Sequence, residues 1–259
     1  MIDSHAHICD IKLHAQRQTI IDEMACDALD AIVEVGADFE SSKEAVELAE
    51  ANDNIFAVIG THPEGVEYFC EEDCQFYKKT SESAKVVAIG EIGLDYFYGK
   101  DDIDQQKAMF ERQLQLAIEV NLPVVLHIRD AYKDALDILT KYKSQLSGKL
   151  LLHCYSASAE MVNEFDKLDC YYAVGGAITF KNAKKDDVIR AIKRDRLLVE
   201  TDCPYMAPTP FRGQVNQPKY VAYVVEKIAE VLNLSVAEVD KLTQDNTLRF
   251  FGKMQLKKA

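Results

Sequence analysis

A closed (β/α)8 barrel is the fold this sequence predicts, and three observations predict it. The 259 residues match the usual length of such a barrel folding as one unit. Short β-branched runs alternate with longer amphipathic segments eight times. Ionisable residues gather at the carboxyl-terminal ends of those runs, the end where barrels of this kind carry their chemistry. A single domain over residues 1–259 is therefore expected, because no linker, repeat or change of composition divides the chain.

The predicted strands are residues 1–7 (MIDSHAH), 31–37 (AIVEVGA), 55–62 (IFAVIGTH), 86–93 (VVAIGEIG), 123–128 (PVVLHI), 149–155 (KLLLHCY), 170–176 (CYYAVGG) and 197–202 (LLVETD). Runs this apolar, separated by helical segments, belong to parallel strands covered by helices. Between them the spacing predicts helices over residues 105–120, 132–142, 159–168, 183–193 and 219–232, where apolar side chains recur near every 3.6 residues. No Gly-rich dinucleotide loop follows the first strand, which favours the closed barrel over an open doubly wound sheet. An additional helix follows in NLSVAE, where Ser235 is a cap with Glu238 three positions on.

With 48% hydrophobic and 28% charged residues, the composition is that of a globular protein with an ample core. The first ten residues lack the pattern of a signal peptide and no stretch is long enough for a membrane span, so a cytoplasmic location without membrane association is expected. Seven scattered cysteines read as reduced thiols. A net charge of −13 argues against a broad basic surface for duplex DNA. It leaves room for a nucleic-acid substrate met locally by bound cations.

His5 and His7 stand two residues apart on the first strand, so both imidazoles leave the same face and could grip one ion. His62, Glu91, His127, His153 and Asp202 then fall at the ends of later strands. Such a set points to metal: His5, His7, Glu91, His127, His153 and Asp202 suffice for two divalent ions if one carboxylate bridges. Glu91 is the expected bridge, since its strand lies between the two histidine groups. Asp202 is the expected general base, a ligand able to take a proton from a water ionised between the ions.

The motifs DSHAH (3–7), GTHP (60–63), GEIGLDY (90–96), PVVLHIRDA (123–131), LHCYSAS (152–158), GGAITFKNA (175–183), ETDCPYMAP (200–208), RGQVNQP (212–218) and NTLRFFG (246–252) come in an ordered series. That series resembles the TatD family of metal-dependent deoxyribonucleases, within the amidohydrolase-type barrel hydrolases. The resemblance implies a divalent-metal hydrolase cutting phosphodiester bonds of DNA, with exonuclease action at chain ends. It implies the same six ligand positions, none missing. This chain departs from the family pattern at Glu64, Ala157 and Cys203, where a histidine, a glycine and a serine are frequent.

Substrate contacts are expected from His62, Arg129, Lys181 and Arg212. His62 is equally readable as a hydrogen-bonding support for the ligands. Arg129 shares the strand face of His127 and could fork onto a phosphate or pair with Asp130 or Glu91. Lys181 and Arg212 sit in the loops after the seventh and eighth strands, where barrels often bind phosphate. Asp95 and Tyr96 are expected at the mouth, and Glu200, in phase with Asp202, inside the barrel without assigned chemistry. Alternation turns Cys154 and Cys203 away from the metals. Cys70 and Cys74 lie a helical turn apart without further soft ligands for zinc.

The same ligand set would serve an ester or amide hydrolase of this barrel group, including an aminoacyl-tRNA deacylase. A noncatalytic metal-binding scaffold is the remaining reading. Mg2+, Mn2+ or Zn2+ all suit nitrogen and oxygen ligands, and a monomer is expected.

Overall fold

The computed structural model describes residues 1–99 and 102–257. Its eight strands are β1 (Ile2–Ala6), β2 (Ala31–Val35), β3 (Ile55–Ile59), β4 (Val86–Asp95), β5 (Val124–Arg129), β6 (Leu150–Leu152), β7 (Tyr171–Val174) and β8 (Leu197–Val199). They form one parallel sheet in sequential order, the expected barrel. The helices are α1 (Arg17–Glu23), α2 (Phe39–Ala51), α3 (Glu71–Thr80), α4 (Ile103–Glu119), α5 (Tyr132–Lys141), α6 (Lys143–Leu146), α7 (Ala159–Phe165), α8 (Asp186–Ala191), α9 (Val221–Leu232) and α10 (Val236–Phe250). None of the described helices is long and apolar enough to cross a membrane.

Alternation along the strands divides the core in two. Val33, Val35, Phe56, Val58, Val125, Leu151, Ala173 and Leu198 join one cluster, together with Phe250, Phe251 and Met254 from the end of α10 and just beyond. Their neighbours Ile32, Ile55, Ala57, Val124, Leu126, Leu152 and Leu197 join the layer shared with helix residues such as Phe110, Leu114, Ile138, Phe165 and Ile228. Each strand is thus buried on both faces, which is why the runs read as continuously apolar. At about 1.5–3 kcal/mol per fully buried aliphatic side chain, these two layers are the main stabilising force.

The seam between β8 and β1 is made differently. Its ladder is reduced to one bridge, Ala6 with Cys203, and buried side chains complete it. The Asp3 carboxylate accepts from the Thr201 amide at 2.9 Å and the Thr201 hydroxyl at 2.5 Å. Ser4 donates its hydroxyl to the Val199 carbonyl at 2.8 Å.

Several predicted boundaries shift. β6 and β8 have three residues each, so His153 and Asp202 stand in the turns just beyond them, as do His7 and His62 beyond β1 and β3. The chain turns sharply there, with Cys154 at φ 43° and Asp202 at φ 55°, in the left-handed region. The helix expected over 183–193 shrinks to α8 because Lys184 is left-handed at φ 50° and Ile192 is extended. Ser235 caps α10 as expected, in a reciprocal pair with Glu238.

Candidate metal centre

The inward phase of the barrel core continues into the site. From Val58 it runs through Gly60 to His62, from Val125 to His127 and Arg129, from Leu151 to His153, and from Leu198 through Glu200 to Asp202. Irregularities in the registers of β1 and β4 reset the phase for His5, His7 and Glu91. Gly93 lets β4 pass close to β5: at φ 151° a Cβ there would meet the His127 carbonyl oxygen at 1.9 Å.

Glu91 lies at the centre, and its two oxygens face different partners. Oε2 is 3.3 Å from His5 Nε2 and 3.8 Å from His7 Nε2. Oε1 is 2.7 Å from both His127 Nδ1 and His153 Nε2. Asp202 Oδ1 completes the first group at 3.5 Å from His7 Nε2 and 3.9 Å from His5 Nε2, with the two imidazole nitrogens 3.2 Å apart. All six predicted ligands therefore meet at one place.

The first group of donors fits a divalent cation, while on the second side Glu91 Oε1 stands at hydrogen-bond distance, 2.7 Å, from both rings. Atoms sharing one ion at about 2.1 Å stand roughly 3 to 4 Å apart, and the first group spans 3.2–3.9 Å. Groups able to hold a metal include His5 with His7 and Glu91, and Glu91 with His127 and His153. A carboxylate as deeply buried as Glu91 needs compensating positive charge.

The imidazoles divide by protonation. Burial opposes charge on His5, His7, His62 and His127. For His7 the Asp202 bond and the charges of Asp202, Glu91 and Glu34 outweigh it, and the group is raised to about 9. His127 also rises to about 9, because Asp95 and Glu91 overcome its burial. His5 and His62 fall to about 4, burial prevailing. Burial pushes Glu91 and Asp202 upward, but the surrounding histidines more than reverse this and hold both below the usual carboxylate range. Glu200 goes the other way: burial, then the Asp202 charge, raise it far above that range.

Supporting groups fix the rings. His7 donates from Nδ1 to the Val35 carbonyl at 2.8 Å, leaving Nε2 for the site. His127 Nε2 lies 3.0 Å from Asp95 Oδ2, which turns Nδ1 toward Glu91. Glu34 accepts from the amides of Ile8 and Cys9 at 2.8 and 2.9 Å and so shapes the turn after β1. Sequence reasoning placed Asp95 at the mouth without this task and passed over Glu34 and Asp3. The phase of β2 could have pointed to Glu34, a lone acid in an otherwise apolar run.

The predicted substrate contacts fare unequally. His62 joins the site, with Nε2 3.8 Å from Glu91 Oε1 and Nδ1 accepting from the Glu64 amide at 3.1 Å. A cavity of about 440 Å3 opens beside it, lined by Phe39, Glu64 and Tyr68 among others. Arg129 pairs with neither Asp130 nor Glu91; its Cζ lies 3.6 Å from the Phe97 ring centre. Lys181 lines a separate cavity of about 550 Å3 with Lys184, Thr209 and Tyr223. Arg212 rests on the Phe180 ring at 4.5 Å.

Glu200 is fully buried, as expected, and accepts the Cys154 amide at 2.6 Å. The alternation that turned Cys154 away does not operate, since β6 ends at Leu152; burial and the carboxylates of Asp202, Glu200 and Glu91 push its thiol up. Cys203 is a buried seam residue, as expected. Cys70 precedes α3 as its cap while Cys74 is buried within it.

A parallel eight-stranded barrel with imidazoles and carboxylates converging at its carboxyl end is the arrangement of a metal-dependent hydrolase. Residues 2–252 match the family described as TatD related DNase, and the chain belongs to that family. It is 42% identical over 252 residues to the uncharacterized metal-dependent hydrolase YabD of Bacillus subtilis (strain 168), covering 97% of this chain and 98% of the relative. With the uncharacterized metal-dependent hydrolase YcfH of Escherichia coli (strain K12) it shares 33% over 255 residues, covering 97% and 95%. The crystal structure of YJJV, a TatD homolog from Escherichia coli K12, superposes with a TM-score of 0.90 at 30% identity, covering 97% and 98%.

Proposed function

We propose that this protein is a nuclease that hydrolyses phosphodiester bonds at the ends of DNA strands, with two divalent ions at the barrel mouth. The observation that carries the two-ion reading is Glu91, whose oxygens face separate donor groups. His5, His7, Glu91 and Asp202 would hold one ion, and Glu91, His127 and His153 the other. Such ions, when bound, supply Lewis acidity toward a phosphoryl oxygen and make water a better nucleophile.

The chain's own groups set the rest. Asp202 remains ionised at neutral pH and, with its side chain 15% exposed, can accept a proton from the attacking water. Asp95 and the Val35 carbonyl keep two imidazoles in one orientation. His62, neutral through burial, is a hydrogen-bonding partner for a substrate oxygen. Arg129, Lys181 and Arg212 are cations on the loops or strand ends of β5, β7 and β8 that can meet phosphates. Membership in a family described as TatD related DNase supports phosphodiester over carboxylic ester or amide.

The deciding experiment offers end-labelled oligonucleotides and small esters side by side, with Mg2+, Mn2+ and Zn2+ in turn. Stepwise shortening of the oligonucleotide, abolished by chelation and by His127→Ala with the fold retained, is expected. Turnover of esters alone, or full nuclease activity in excess EDTA, would sink the proposal.

A further inference from the structure

We propose that Phe97 and Tyr98, with Arg129 laid against them, form a shelf on which an unpaired nucleobase of the substrate stacks. The inference rests on the nuclease reading and adds what part of the strand the protein grips. Its starting point is a contrast within four residues after β4 turns outward. Asp95 is buried and bonded to His127. Tyr96 is tied down twice, its amide to the Arg129 carbonyl at 3.0 Å and its hydroxyl to Asp134 at 2.9 Å. The Phe97 amide is bound by Asp95 Oδ1 at 2.8 Å. The backbone is thus fixed to the metal centre, yet the next two rings are left in water, Phe97 at 54% and Tyr98 at 72% exposure.

The rings are organised all the same. They meet edge to face, with centres 4.9 Å apart and planes at 88°. The Arg129 guanidinium carbon stands 3.6 Å from the Phe97 ring centre and 5.5 Å from that of Tyr98. Among the described residues no carboxylate comes within 4.0 Å of that guanidinium, in a chain of net charge −13. Exposed aromatic faces beside a cation without a close carboxylate suit a ligand that is itself both aromatic and anionic, and a nucleotide is both.

Two points narrow the occupant. Two rings and one guanidinium offer far less than the roughly 800 Å2 per partner of a stable protein interface, but enough for one or two bases. Bases within a duplex are already stacked on each other, so the shelf selects single-stranded or frayed ends. Because Asp95 bonds both His127 and the Phe97 amide, the shelf is held in register with the cutting centre.

The test compares wild type with Phe97→Ala/Tyr98→Ala on two substrates, an end-labelled single-stranded oligonucleotide and bis(p-nitrophenyl) phosphate, a diester without a nucleobase. Stacking contributes about 1–3 kcal/mol per base. The ratio of kcat/KM for oligonucleotide to that for the small diester should therefore drop about tenfold or more, through KM, and Phe97→Trp should restore it. A ratio changed by less than about twofold overturns the proposal, and so does an equal loss on both substrates, which would mark the rings as structural. Wild type that cleaves the small diester but no oligonucleotide would overturn the nuclease reading itself, and the shelf with it.

Discussion

The two sides of Glu91 are built from similar donors but supported in opposite ways. On the β1/β8 side, His7 is oriented by a main-chain carbonyl and a carboxylate, Asp202, stands among the donors. On the β5/β6 side the donors beyond Glu91 are imidazoles only, and the carboxylate, Asp95, sits behind His127. A carboxylate among the donors is available to the reaction, whereas one behind an imidazole makes that imidazole a better donor. On the proposed two-ion reading the difference amounts to a division of labour, the first side handling the proton and the second holding charge.

Removing what the sides share should have the largest effect. Glu91→Gln is expected to abolish stoichiometric metal uptake on both sides and to cut hydrolysis by about a thousandfold or more, roughly 4 kcal/mol of transition-state stabilisation. Elemental analysis beside a cleavage assay reads both. Retention of one tightly held ion would show that one side stands without the bridge.

A change confined to one side should come next. Asp95→Asn is expected to weaken metal affinity on the β5/β6 side about 10- to 100-fold while the other side titrates as before. Isothermal calorimetry with Mn2+ would resolve two steps. Equal weakening of both would erase the distinction drawn above.

Protonation offers a subtler comparison. His7 and His127 sit at about 9 without metal, so loading at pH 7.5 should release about two protons, measurable in buffers of differing ionisation enthalpy. The metal-free fold should respond to pH as well. For these two histidines, raised above the ordinary 6.5, the stabilisation is complete below about 6.5 and lost as pH rises through about 9. For His5 and His62, depressed to about 4, stability falls as pH drops from 6.5 toward 4. Metal-free protein should therefore be most stable near pH 6.5, and a melting temperature that climbs steadily to pH 9 would contradict the assignment.

The smallest effect is expected at the rim. Lys181→Ala and Arg212→Ala should each lower kcat/KM for oligonucleotides only a few-fold, vanishing at high salt, as befits exposed cations.

Periodicity made the barrel and most of the site legible. A period of two leads from Val125 to His127, from Leu151 to His153 and from Leu198 to Asp202, so inward phase in the core was enough to bring these side chains to the mouth. It could not anticipate the left-handed turns at Cys154 and Asp202, which depend on tertiary hydrogen bonds such as Cys154 to Glu200. Nor could it reveal Asp3, Glu34 and Asp95 as supports, because an acid in a strand reads the same whether it holds a loop, a seam or a ring. Arg129 shows the limit clearly: its face was legible, but its neighbour Phe97 comes from another strand's exit loop.

The seam between β1 and β8 has a consequence for the chain during its synthesis. Asp3 and Thr201, which lock that seam, are 198 residues apart, and the donors on its side come from both of its strands. A polypeptide emerging from the ribosome holds His5 and His7 early but meets Asp202 only after all eight strands have been made. The site is therefore assembled late, by contacts that join the two ends of the barrel across 198 residues. A shortened or half-folded chain carries His5 and His7 without Asp202, so the full set of donors exists only once the barrel has closed.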